Sequence, residues 1–96
     1  RPRGVGIKRP KDTVAARREL YDELRRGALD LRTAVKRMRR IVGLSQADYA
    51  KLIGLSPRVL IDFERGVGNP TLQTLELIGK PFGLEVVYLH RPTAAR

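Results

Sequence analysis

Residues 46–65, QADYAKLIGLSPRVLIDFER, constrain the fold of this chain more than any other stretch. Ser45 is a helix cap, and Gln46 to about Ile53 reads as a short helix. Gly54, Leu55 and Ser56 then supply a turn, with Gly54 where the backbone needs positive φ. Ser56 caps a second helix, to about Glu64, and Pro57 stands at its first position, where a missing N–H is no loss. Ala50 is small where the two helices must cross closely. Tyr49, Ile53, Leu55, Leu60 and Phe63 occupy the inward positions. A generic helical hairpin needs only some of these features; together they specify two short helices packed at a close crossing.

The flanking sequence is punctuated in the same way. Asp12 or Thr13 caps a helix to about Arg26, with Leu20, Leu24 and Ala28 four residues apart, Tyr21 beside them, and Gly27 as a stop. That narrow stripe predicts packing on the core or on a second subunit. Asp30 caps a helix from Leu31 to Val42, whose buried face is predicted to be Leu31, Ala34, Val35, Met38, Ile41 and Val42, and Gly43 ends it. After a loop from Val67 to Pro70, Thr71 caps a further core helix to about Gly79, with a break near Pro81. Gly83 makes a turn, and LEVVYL from Leu84 is rich in strand formers until Pro92 ends it. A lone strand leaves its backbone groups unpaired, so the sequence predicts pairing with the same strand of a second copy, through Leu84, Val86, Val87, Tyr88 and Leu89. The alternative is an extended tail lying on its own core.

The chain therefore divides into a basic flexible arm at 1–11, an N-terminal helix at 12–29, a helical domain at 30–83, a dimerisation strand at 84–91 and a tail at 92–96. The predicted fold class is mainly α. At 96 residues the core supplies little net stability, so oligomerisation is a natural supplement.

Charge narrows the partner. Net charge is +10, and residues 1–43 hold 14 Lys/Arg against 5 Asp/Glu. Such a surplus in one half points to a polyanion: nucleic acid first, an anionic membrane second, or simple solubility. The arm RPRGVGIKRPK is either a flexible terminus or an element that tracks phosphates or enters a minor groove. There is no cysteine, and His90 is the sole histidine, so neither a disulfide frame nor a His or thiolate metal cluster is expected. No apolar run approaches the roughly 20 residues of a membrane span, and no signal-peptide pattern opens the sequence. The opening on Arg1 rather than Met implies processing or a trimmed start. No phosphate-cradling glycine loop, nucleophile–His–acid set or metal constellation is present, which reads against an enzyme and against a cofactor.

The motifs LSQ at 44–46, Ala50 with Gly54, FERG at 63–66 and NPTL at 69–72 resemble the Xre family of helix-turn-helix proteins, which includes the lambdoid phage repressors. The resemblance covers about Leu31 to Phe82. With the terminal LEVVYL the chain also resembles HipB-type antitoxins, whose terminal strands pair across a dimer. This implies a lambda-repressor-like bundle, with an extra N-terminal helix, acting as a homodimer on double-stranded DNA. It further implies a repressor, as the antitoxin of a toxin–antitoxin pair that autoregulates its operon with a kinase-like toxin as partner, or as a stand-alone phage-type or Xre repressor. The implied location is cytoplasmic, with the nucleoid, and no membrane is involved.

The resemblance also assigns residues. The second motif helix, opening at Ser56, enters the major groove and presents Pro57, Arg58, Val59, Ile61 and Asp62. Arg58 can take guanine O6 and N7 together, worth roughly 1–3 kcal/mol of discrimination, or it contacts phosphate or solvent. Asp62 can accept from cytosine N4 or is simply solvated. Pro57, Val59 and Ile61 can touch a thymine methyl but cannot hydrogen-bond to bases, so specificity is expected to be modest or shape-based. Gln46 would contact a phosphate or act as a local cap, and Arg65, Asn69 and Thr71 would touch the backbone, with Asn69 and Thr71 also serving as turn and cap. Arg39 and Glu64 match a family pair that joins the first core helix to the end of the recognition helix. Two other classes compete: a protein-interaction module with weak DNA binding, and an RNA binder, for which five aromatics, at least two of them needed in the core, leave no stacking platform.

Overall fold

A computed structural model describes residues 11–90. Five α-helices follow in order: α1 (Thr13–Arg25), α2 (Leu31–Val42), α3 (Gln46–Ile53), α4 (Pro57–Arg65) and α5 (Leu72–Gly79), with a 3-10 turn at Lys80–Phe82. Each α-helix opens on a short polar side chain that accepts a backbone N–H three residues on: Asp12, Asp30, Ser45, Ser56 and Thr71. These caps satisfy donors that a helix start otherwise leaves unpaired, which is why the boundaries fall where they do. Pro81 lies in the 3-10 turn, whose tighter winding takes over where α5 stops.

The helices enclose one core. Ala34, Val35, Met38 and Ile41 of α2 meet Tyr49, Ala50 and Ile53 of α3, Leu60 and Phe63 of α4, and Ile78 with Phe82 beyond. Leu20 is the contribution of α1 and is fully buried, an apolar transfer worth about 1.5–3 kcal/mol. Polar contacts add to it. The Tyr21 hydroxyl donates to the Phe82 carbonyl at 2.8 Å, and Arg37 pairs with Glu23 at 2.7 Å. The Arg17 guanidinium lies 4.4 Å from the centre of the Phe82 ring. The extra helix thus packs on the domain's own core.

Two expectations about burial need correction. Leu31 is exposed, the first residue of α2, where the buried face begins only at Ala34. Ala28 is also exposed, having left the helix after Arg25. The larger correction concerns the terminal segment. Leu84, Val86, Val87, Tyr88 and Leu89 form no strand, and residues 84–90 are without regular structure. A strand is held by hydrogen bonds to a second strand, and no described part of this chain offers one. Leu84 is half-buried against the core, and its amide bonds the Gly79 carbonyl at 3.0 Å. Leu89 leans over Gly27, so the segment runs back towards the α1–α2 loop. The single chain therefore shows an irregular segment anchored on the core by Leu84, with Val87, Tyr88 and Leu89 largely exposed. The predicted arm (1–10 of its residues), residue 91 and the tail at 92–96 lie outside the described residues.

Candidate nucleic-acid interface

The site is built on the α3–α4 joint. Gly54 ends α3 at φ +81°, a left-handed conformation that permits the three-residue turn into α4. Ala50 is fully buried at the crossing, and no larger side chain would let the helices approach as closely. Leu60, Phe63 and Glu64 are the inward face of α4. Ser56, Pro57, Arg58 and Val59 are exposed along its first turn, and Ile61 and Asp62 are half-buried beside them. Arg65 is exposed at the far end, and Asn69 and Thr71 are exposed in the following loop. The structure thus brings every residue assigned to base or backbone contact onto α4 and its flanks, apart from Gln46 at the start of α3.

Local bonds set the orientation of several of these groups. Ser56 Oγ accepts from the Val59 amide at 3.3 Å, which anchors the first turn. Arg58 Nη1 lies 3.7 Å from Asp62 Oδ1, one turn along, so the guanidinium lies along the exposed face. An exposed pair of this kind contributes at most about 1 kcal/mol and yields readily to a better acceptor. Thr71 Oγ1 accepts from the Thr74 amide at 3.1 Å and is the cap of α5.

Behind the exposed face lies a charged brace. Arg39 Nε donates to Glu64 Oε2 at 2.7 Å, and Nη2 donates to Oε1 at 2.8 Å, a two-pronged pair. Arg39 Nη1 also donates to the Leu44 carbonyl at 3.2 Å. The Glu64 side chain is only 2 % exposed, so its charge depends on these partners. Gln46 Nε2 adds a third bond to Glu64 Oε1 at 2.9 Å. Gln46 is therefore held by the brace in the free protein, a link that sequence reasoning missed. The two residues are eighteen apart, and no local pattern connects them.

A second missed neighbour is Arg32. A Cβ placed on Gly66, at the end of α4, would stand 3.1 Å from Arg32 Nε and 3.4 Å from Nη2. The guanidinium thus rests on the bare glycine, at the end of α4. Spacing offered a hint, since Arg32 precedes Arg39 by seven residues, two turns along one face of α2.

A family model described as helix-turn-helix matches residues 35–89, more than half of the chain. The chain belongs to the helix-turn-helix family. It is a DNA-binding protein of the transcription-regulator class, with α3 and α4 as the two motif helices. Neither the curated proteins nor the solved structures gave a match. No helix among the described residues is long and apolar enough to cross a membrane.

Proposed function

We propose that this helix-turn-helix protein is a sequence-directed repressor that binds operator DNA as a homodimer. The observation that carries the reading is the exposed first turn of α4, Ser56 to Val59, held outward by the buried Leu60, Phe63 and Glu64. Docked by its N-terminal end in the major groove, such a helix brings Arg58 to base edges and leaves Gln46, Arg65, Asn69 and Thr71 near the sugar–phosphate walls. Arg58 reads the sequence; Pro57, Val59, Ile61 and Asp62 shape the fit. The protein performs no chemistry.

The terminal segment supports the dimer. Val87, Tyr88 and Leu89 are largely exposed, and no backbone hydrogen bond joins residues 85–90 to other described residues. Pairing with a second copy would satisfy these groups and cover the apolar side chains. The resemblance of this segment to HipB-type antitoxins extends the reading to the antitoxin of a toxin–antitoxin pair. Co-purification with the product of an adjacent gene tests that extension.

The division of roles is tested by two variants on a set of duplexes carrying single base changes. Arg58→Ala should relax preference at one position of each half-site. Gln46→Ala should weaken binding evenly on every duplex. Identical effects of both on all duplexes would overturn the assignment.

A further inference from the structure

We propose that Arg32 is a phosphate contact that extends the DNA footprint past the C-terminal end of the recognition helix. The proposal rests on the DNA-binding reading above and adds to it a residue from outside the motif. Arg32 belongs to α2, yet its guanidinium lies against Gly66 at the end of α4. Among the described residues no polar bond holds it there. Arg32 forms no ion pair and no hydrogen bond with another described residue, and the α4 end carbonyls of Asp62 and Phe63 accept from Gly66 and Val67 instead. The guanidinium is not a helix cap. Its donors remain available to a ligand.

Charge and reach identify that ligand. Arg65 is exposed next to Gly66 and likewise has no ion pair among the described residues, so two cations flank one end of the recognition helix. The Asp30 carboxyl, the cap of α2, is held down first by the Thr33 amide and further by the nearby Arg32 and Lys36 charges, and it forms no ion pair with Arg32. With nine residues, α4 is about 13.5 Å long, comparable to the roughly 12 Å width of the major groove. A helix whose first turn meets base edges therefore ends beside a groove wall, where phosphates line the edge. A guanidinium at that end meets anionic oxygens in the fork geometry it favours. Gly66 has two roles in this arrangement: it permits φ +81°, and it leaves the space the guanidinium occupies.

The test is a salt series of binding to a mixed-sequence B-form duplex, for the full chain and for Arg32→Ala and Arg32→Lys, with thermal unfolding of each. Arg32→Ala should lower the slope of log affinity against log salt by about 0.9, so that its deficit shrinks about 3.5-fold between ~50 and ~200 mM salt. Arg32→Lys should keep the slope, and the three unfolding midpoints should agree. An unchanged slope for Arg32→Ala, with salt-sensitive binding by the parent, overturns the phosphate contact and leaves the DNA reading intact. A lowered midpoint with an unchanged slope makes Arg32 a packing residue. Salt-insensitive binding by the parent overturns both.

Discussion

The brace of Arg39, Glu64 and Gln46 sets the position of the recognition helix, and Arg39→Ala measures what it contributes. The substitution removes two of the three hydrogen bonds to a carboxylate that is almost wholly buried. Gln46 alone remains to it. Breaking a buried pair from one side costs about 3–5 kcal/mol, because an uncompensated charge is left in the interior. Against the roughly 5–15 kcal/mol that holds a domain together, that is a large share. At about 4–8 °C per kcal/mol for a domain of this size, the midpoint should fall by at least ~12 °C in circular-dichroism melts. Replacing both partners, as Arg39→Met with Glu64→Leu, should recover most of the loss, since an apolar pair of similar volume carries no desolvation penalty. DNA affinity of the single variant, measured where it is still folded, should fall far less than its stability. A variant that melts within ~1 kcal/mol of the parent yet fails to bind DNA would refute the reasoning and make Arg39 a DNA contact rather than a brace.

Four further outcomes are expected. Tyr49 donates to the Ile78 carbonyl at 2.6 Å inside the core, so Tyr49→Phe should cost about 1–3 kcal/mol by urea unfolding. Burial also pushes the Tyr49 phenol from 10.0 up to about 12, so the unfolded chain ionises first; stability present below pH 10 should be lost as pH rises towards 12, and Tyr49→Phe should flatten that alkaline limb. The Thr33 amide holds the Asp30 carboxyl below its usual range, so its contribution is present above the ordinary carboxylate pKa and is lost as pH falls through the lowered one; Asp30→Asn, still a capping residue, should melt less steeply with acid. Removal of residues 85–96 should convert dimer to monomer in sedimentation and weaken operator binding, and a surviving dimer would place the interface elsewhere.

Local chemistry was legible in the sequence because it is written in adjacent residues. Asp30, Ser45, Ser56 and Thr71 cap the helices they precede, and Gly43, Gly54 and Gly66 stand just past the helix ends, since cap and stop act within a few residues of the element they bound. The packing of α1 was half legible. Leu20 showed in the spacing, but the Tyr21 bond to the Phe82 carbonyl spans sixty-one residues and leaves no periodic trace. Periodicity also marked a face of α2 without revealing where that face runs out, and Leu31 lies beyond its buried part. Of the candidate site, the exposed turn of α4 followed from its inward partners. The Gln46–Glu64 bond and the seat of Arg32 on Gly66 depend on how α2, α3 and α4 cross, and only three-dimensional packing shows that. The terminal strand failed for a different reason. β-Propensity in Val86, Val87 and Tyr88 describes a surface fit for pairing, and pairing needs a second strand, of which there is none among the described residues.

The most direct test of the central claim, sequence-directed binding of double-stranded DNA, is a titration of the purified protein against its own upstream DNA and a scrambled duplex of equal length, followed by fluorescence anisotropy across a salt series. The expected result is tight binding to the upstream duplex, weaker binding to the scrambled one, and affinity for both that falls with salt. Equal affinity for the two duplexes at every salt concentration would contradict it and leave a cationic protein that binds DNA without reading it.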